Sequence, residues 1–311
     1  MARSISKYLN STGMVPVNCL RSGQNLIQSQ LGHLADDRII FSNVTIENCG
    51  SAVVIGTRLP VPSIADLDIC EFTEEEPAFV TRHIEARYLC SARKGYFSFD
   101  TLVNYRAAEG AVAGRLGDVQ ESRIWEIFRS RSGFFKSISS PGLIFENLSV
   151  AGNDRDVVGE YINNDYCSCS SLGVFSLERA EAIRDRETDP ERKPGAYVTY
   201  DFGKMKRALL NHFSRDASLS KLSLLGREVT YGEKDRTWDV EQNFTFQQDR
   251  DGLAIWLSVA FVKSPGFQHE EEYRLLLVDE TGPGALDNLA QKHQIPYSEA
   301  IAASIVASDF Y

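Results

Sequence analysis

The sequence predicts an α+β fold built on a mixed sheet, and three observations predict it. Strand-like and helix-like stretches follow one another without the regular β-α-β cadence of a doubly wound sheet. An apolar run, Tyr273 to Val278, reads as a buried strand. The 311 residues, 43% of them hydrophobic, supply a core for one large domain or for one domain plus a smaller subdomain.

The elements follow in chain order. Residues 1–75 read as an amino-terminal subdomain, a β-rich layer with one helix. In that layer Leu26, Ile27, Leu31 and Leu34 recur at helical spacing behind Ser22 as cap. Arg38 to Ile46 and Ser51 to Ile55 predict two strands around an Asn48-Cys49-Gly50 turn. Pro60, Pro62 and the acidic stretch from Glu71 to Glu76 mark a linker, so the second domain spans residues 76–311. There, Phe79 to Ile84 predicts a strand, Glu85 to Arg93 a short helix stopped at Gly95, and Tyr96 to Phe99 a strand. Asp118-Val119-Gln120-Glu121 has the form of a capping box and predicts a helix through Ile124, Trp125, Ile127 and Phe128. Tyr161 to Ser171 reads as a strand, Leu177 to Arg186 and Lys204 to Phe213 as helices, and Ala196 to Tyr200 and Arg227 to Tyr231 as short strands. Ala254 to Val262 fits a buried helix or a buried strand equally, and Pro265-Gly266 turns the chain into the last apolar run. Ile39 to Ile46 echoes Leu143 to Val150, which reads as two similar β-hairpins.

Composition narrows the function. A net charge of -10 disfavours nucleic-acid capture by bulk charge. No apolar run is long enough to span a bilayer, and Met1 to Lys7 lacks the apolar core of a signal peptide. The expectation is a cytoplasmic protein without a membrane partner. Cys19, Cys49, Cys70, Cys90, Cys167 and Cys169 are too scattered for a disulfide scaffold and read as reduced thiols. Cys167 and Cys169 share a strand face, but no histidine pair accompanies them, so no metal is expected. Neither a G-x-G-x-x-G, a Walker loop nor a G-x-S-x-G elbow occurs. His269-Glu270 begins like a zinc-protease helix, but Tyr273 stands where the second histidine belongs.

The stretch with most chemistry runs from Phe261 to Leu277. Glu270, Glu271 and Glu272 sit at the mouth of the apolar strand, and strand alternation puts Glu270 and Glu272 on one face. Two carboxylates at the entrance to a core are costly unless solvated, paired or used. The structural reading is a solvated strand entrance with Arg274 as ion-pair partner. Upstream, Arg82 and His83 alternate, so at most one of them faces any given pocket. Arg106, Glu109, Arg115, Asp118 and Glu121 form either a charged surface or a ligand-touching cluster.

Several pieces together carry a resemblance. They are Val80-Thr81-Arg82-His83, Gly95-Tyr96-Phe97-Ser98-Phe99, Asn104 to Glu109, Cys167-Ser168-Cys169-Ser170-Ser171, and the closing Lys263 through Arg274. Over residues 78–280 this skeleton is similar to a large bacterial family of unknown function and, more remotely, to the ADP-ribosyltransferase fold. The resemblance implies a largely antiparallel split β-sheet core with flanking helices, and NAD as substrate. It further implies that Arg82 or His83 grips the NAD ribose or phosphate, and that Ser168, Ser170 and Ser171 shape the nicotinamide pocket. Glu272 would be catalytic, with Glu270 as its partner. A carboxylate beside the ribose stabilises the oxocarbenium-like state that develops as nicotinamide leaves. The acceptor would be a macromolecule, protein or nucleic acid, and the chain a toxin or phage-defence effector answered by an antitoxin or regulatory protein. The alternative is a non-catalytic protein-binding or regulatory domain that keeps the same fold. A hydrolase using paired carboxylates on another fold ranks third.

Overall fold

The computed structural model describes the backbone of the strands within residues 14–58. It then describes residues 76–102, 123–140, 143–152, 155–162, 165–187, 190, 192–215, 222–240, 243–245, 259–279 and 293–311. Residues 103–122, with the Asp118 capping box and the whole charged cluster of Arg106, Glu109, Arg115, Asp118 and Glu121, lie outside the described residues. The fold is α+β, with mostly antiparallel sheets and few helices. Two compact units divide the chain. One gathers Met1–Pro62, Arg123–Asn163 and Lys234–Ala260; the other gathers Ser63–Ser122, Asn164–Glu233 and Phe261–Tyr311. The sequence reading divides the chain once, near residue 75; in the fold each unit is assembled from three separate stretches.

The first unit explains the internal echo. Its two copies do not form independent hairpins. They lie side by side in parallel at one constant offset: Ile39 pairs with Leu143, Thr45 with Ser149 and Val53 with Val157. Parallel in-register pairing sets the like residues of the two segments beside one another. Two helical expectations fail in this unit. Asn25–Gln28 and Gly32–Ala35 are strands, the first paired with Thr45–Asn48 and the second with Arg38–Ser42. Arg123–Arg129 is a strand too, with Ile124, Glu126 and Phe128 buried in alternation. Glu126, fully buried, accepts a hydrogen bond from the Trp238 indole Nε1 and faces Arg236 on the neighbouring strand.

The second unit carries the candidate site. Its strands in chain order are β1 Phe79–Glu85, β2 Phe97–Thr101, β3 Tyr166–Leu172, β4 Pro194–Asp201, β5 Leu222–Glu228, β6 Thr230–Tyr231, β7 Val262–Lys263, β8 Glu272–Asp279, β9 His293–Ile295 and β10 Ile305–Phe310. Its α-helices are α1 Leu89–Arg93, α2 Leu177–Arg186, α3 Phe202–Arg215 and α4 Glu299–Ala302. The sheet runs β5-β8-β3-β1-β4-β10, every pair antiparallel. β3 divides on one side. Its end, Ser171–Leu172, pairs with β1, whereas its start, Tyr166–Cys167, pairs with β2. Between those contacts Ser168–Ser170 has no strand partner on that side among the described residues.

One face of this sheet is apolar. Val80, Val198, Tyr200, Tyr273, Leu275 and Leu277 project from it against Leu89 and Ala92 of α1, Ile301 of α4, and Phe202, Met205, Leu209 and Phe213 of α3. The 3.6-residue period of α3 makes that stripe continuous. Its first turn is capped by Asp201, whose Oδ1 accepts from the Lys204 N–H at 3.0 Å. Gly95 ends the α1 turn at φ +82, and a Cβ there would stand 1.9 Å from the Ser298 carbonyl oxygen, so α1 and the turn before α4 can meet only at a glycine.

The outer edge is β10, and it is guarded. Tyr311 N–H donates to the Gly195 carbonyl at 3.0 Å, so by antiparallel alternation the backbone groups of Ser308 and Phe310 point away from β4. Arg93 Nη2 donates to the Ser308 carbonyl at 2.6 Å, and Phe310 N–H donates to Asp309 Oδ1 at 3.0 Å. Bare edge groups template strand addition. The paired change Arg93→Ala with Asp309→Ala is therefore expected to make the protein self-associate with concentration, read by sedimentation velocity.

Candidate functional site

The closing motif is a buried ion network. Glu272 is the first residue of β8 and is 3% exposed. Arg274, two residues on and on the same face, is 1% exposed, and its Nε donates to Glu272 Oε1 at 2.6 Å. Lys263, at the end of β7, sends Nζ to Glu272 Oε2 at 2.9 Å and to Glu270 Oε2 at 2.7 Å. Its ammonium also lies 4.7 Å from the centre of the Phe267 ring. The Glu272 N–H donates to the Tyr231 hydroxyl at 2.8 Å. Burial by itself would raise the Glu272 carboxyl, but Arg274 and then Lys263 overcome it and hold the group below the usual carboxylate range. Burial pushes the Tyr231 phenol up to about 12. The sequence spacing makes sense only here. A 3-10 turn, Pro265–Glu270, folds back between β7 and β8, so a lysine nine residues upstream closes on the strand mouth.

Glu270 and Glu272 do not share a strand face. Glu270 ends the 3-10 turn, and Glu271 takes a left-handed backbone at φ 43 and ψ 54 before β8 begins. Through-space closure on Lys263, rather than alternation, brings the two carboxylates together.

Register sorts the other expected residues onto two faces. Glu272 pairs with Ser171, and Ser171 with Thr81, so these three share a face; His83 follows Thr81 on it, one pleat along β1. Thr199 and Tyr197 of β4 continue the same face, and Thr81 Oγ1 lies 2.9 Å from Thr199 Oγ1. Arg82, Ser168 and Ser170 belong to the other, core-side face, where Arg82 pairs with Val198 and Ser168 with Leu275. Arg82 stacks its guanidinium 4.4 Å from the Phe97 ring centre and reaches the Ser98 carbonyl across the divided side of β3. Ser168 Oγ is buried there with no hydrogen-bond partner among the described residues. Strand alternation thus unites Glu272, Ser171 and His83, and separates them from Arg82, Ser168 and Ser170.

His83 is half-buried in an aromatic corner. Its Nδ1 is 3.4 Å from the Tyr311 hydroxyl, and its Nε2 is buried without a partner among the described residues. Phe175 stacks on Tyr197 at 3.8 Å beside it. Burial, and then the charge of Arg179, lowers His83 to about 4, so the ring is neutral at physiological pH. On the other flank the Cys167 and Cys169 sulfurs stand 3.5 Å apart, and that contact together with burial holds the Cys169 thiol well above its ordinary range. Cys169 is thereby a poor nucleophile. Arg179, Tyr231 and Tyr311 had no sequence signal; each acts across a long chain separation.

Among the described residues no helix is long and apolar enough to cross a membrane, and no cluster of three or more metal-ligating side chains occurs. No protein-family model, curated protein or solved structure matches the chain.

Proposed function

We propose that the second unit binds NAD against the face carrying Glu272, Ser171 and His83 and transfers its ADP-ribose to a macromolecule. The observation that carries this reading is the register that sets Glu272, Ser171 and Thr81 side by side across β8, β3 and β1, with His83 one pleat further. A neutral imidazole with an uncommitted nitrogen suits a ribose hydroxyl or a carboxamide. In the transfer the nicotinamide–ribose bond breaks and its electron pair leaves with nicotinamide. The acceptor's nucleophile bonds to the same sugar carbon and gives up its proton. A fixed, ionised carboxylate such as Glu272 stabilises the cationic sugar between those events. The acceptor is a protein or nucleic acid, as expected of a toxin or phage-defence effector.

A second reading has its own observation. Both oxygens of Glu272 are engaged, by Arg274 and Lys263, and the network of two carboxylates and two cations is neutral overall. A neutralised carboxylate is a weak partner for a cationic sugar. That favours a binding domain that keeps the fold without the chemistry. Calorimetric titration of NAD into the full chain, with nicotinamide release followed in parallel, separates the two. Transferase function predicts binding that His83→Ala weakens by about tenfold, the worth of one good hydrogen bond in a dry site, together with nicotinamide release. Binding without release leaves the non-catalytic reading. No heat and no release from the wild-type chain retires NAD altogether.

A further inference from the structure

The left-handed residue beside Glu272 has a physical cause. Glu271 is not glycine, and a left-handed backbone costs a non-glycine residue about 1 kcal/mol or more. Such a conformation persists only where the surroundings over-determine it. Here three hydrogen bonds close a ring. Arg179 Nη1 donates to the Leu172 carbonyl at 2.6 Å. The Leu172 N–H donates to the Glu271 carbonyl at 2.8 Å. The Glu271 carboxylate accepts from Arg179 Nη2. Arg179 belongs to α2, whose first turn is capped by Ser176 Oγ accepting the Arg179 N–H at 3.3 Å. One residue therefore both opens the helix and returns its guanidinium to the ends of β3 and β8.

The residues next to this ring are Ser171 and Glu272, the cross-strand pair of the proposed site. We propose that Arg179 is a positioning residue: its planar fork clamps Leu172 and Glu271, and so sets the direction from which Ser171 and Glu272 present their side chains. Arginine suits this task because two parallel N–H donors reach two acceptors at a fixed angle, which a lysine ammonium does not do. The charge of the same guanidinium, after burial, also disfavours protonation of His83. Around His83 the other polar and charged groups are the Tyr311 hydroxyl, Tyr197 of β4, Thr81 and Glu85 on its own strand face, Asp309 opposite Tyr197, and Arg184 over the Tyr311 ring. The role of Arg179 in nucleotide binding rests on the NAD reading above; its role as a clamp does not.

The test uses the full chain with three variants, Arg179→Gln, Arg179→Lys and Glu271→Gln. Amide exchange at Leu172 reads the ring, the imidazole resonances of His83 read the charge, and NAD calorimetry reads the site. All three variants are expected to speed Leu172 exchange by about tenfold, the loss of one charge-assisted bond. Arg179→Gln raises the His83 titration toward its ordinary value of 6.5, whereas Arg179→Lys keeps the charge and leaves it low. Arg179→Lys with unchanged Leu172 exchange overturns the clamp, and Arg179→Gln with an unmoved His83 titration overturns the link to the histidine. If wild type binds NAD, Arg179→Lys weakens it about tenfold although His83 is unaltered; full affinity there overturns the positioning role. A wild-type chain that ignores NAD sinks the nucleotide reading alone, because exchange and titration still report on the clamp.

Discussion

Arg274→Met destabilises the second unit by about 3–5 kcal/mol, because it strands the Glu272 carboxylate in the interior. Lys263 remains, but one ammonium shared with Glu270 cannot replace the guanidinium. Urea unfolding of wild type and variant gives the difference, and a change under about 1 kcal/mol contradicts burial of the pair. The network also fixes a pH dependence. The Glu272 carboxyl is depressed in the folded protein relative to the unfolded chain. Its contribution is therefore complete at neutral pH and is lost as pH falls below the ordinary carboxylate range of about 4 toward the folded value. Glu272→Gln is less stable at neutral pH and shows a flatter decline into acid. An equal acid slope in both proteins contradicts the assignment.

Phe97→Ala costs about 3–5 kcal/mol by the cavity it leaves. Phe97 is fully buried between Phe99 and Tyr200, with ring centres 5.4 and 6.0 Å away. It also carries the Arg82 guanidinium on its face. Losing the ring removes the stacking surface that holds that cation at the divided side of β3. Phe97→Leu keeps most of the volume and costs less than half as much. Thermal unfolding of both variants checks this, and equal losses show that the stacked cation, not the cavity, sets the penalty.

Much of the second unit was legible because its elements are locally determined. β1 carries a strand signal, α3 has an apolar stripe, α2 and α3 have oxygen-bearing caps, and Gly95 stops α1 where the backbone turns left-handed. The same reasoning misled at residues 25–35 and 123–129. Apolar residues there fit a helical period over one window, but neighbouring strands claim the backbone hydrogen bonds, across a tight turn for Gly32–Ala35 and from farther along the chain for Asn25–Gln28 and Arg123–Arg129. Nothing local to Arg123–Arg129 reveals that its neighbours are Val157–Ile162 and Asp235–Asp239.

Legible in the residues alone were three glutamates at the mouth of an apolar strand with Arg274 beside them, and the opposite directions of Arg82 and His83. Burial cost, and alternation within one strand, are properties of neighbours along the chain; alternation failed at Glu270, which lies in the turn before β8. The folded chain alone shows which face each residue joins, that Lys263 and Arg274 neutralise the carboxylates, and that Arg179 closes a ring around Glu271. Those outcomes depend on strand register and on turns that bring together groups nine to ninety-two positions apart. Register is set by the whole sheet at once, and no single segment encodes it.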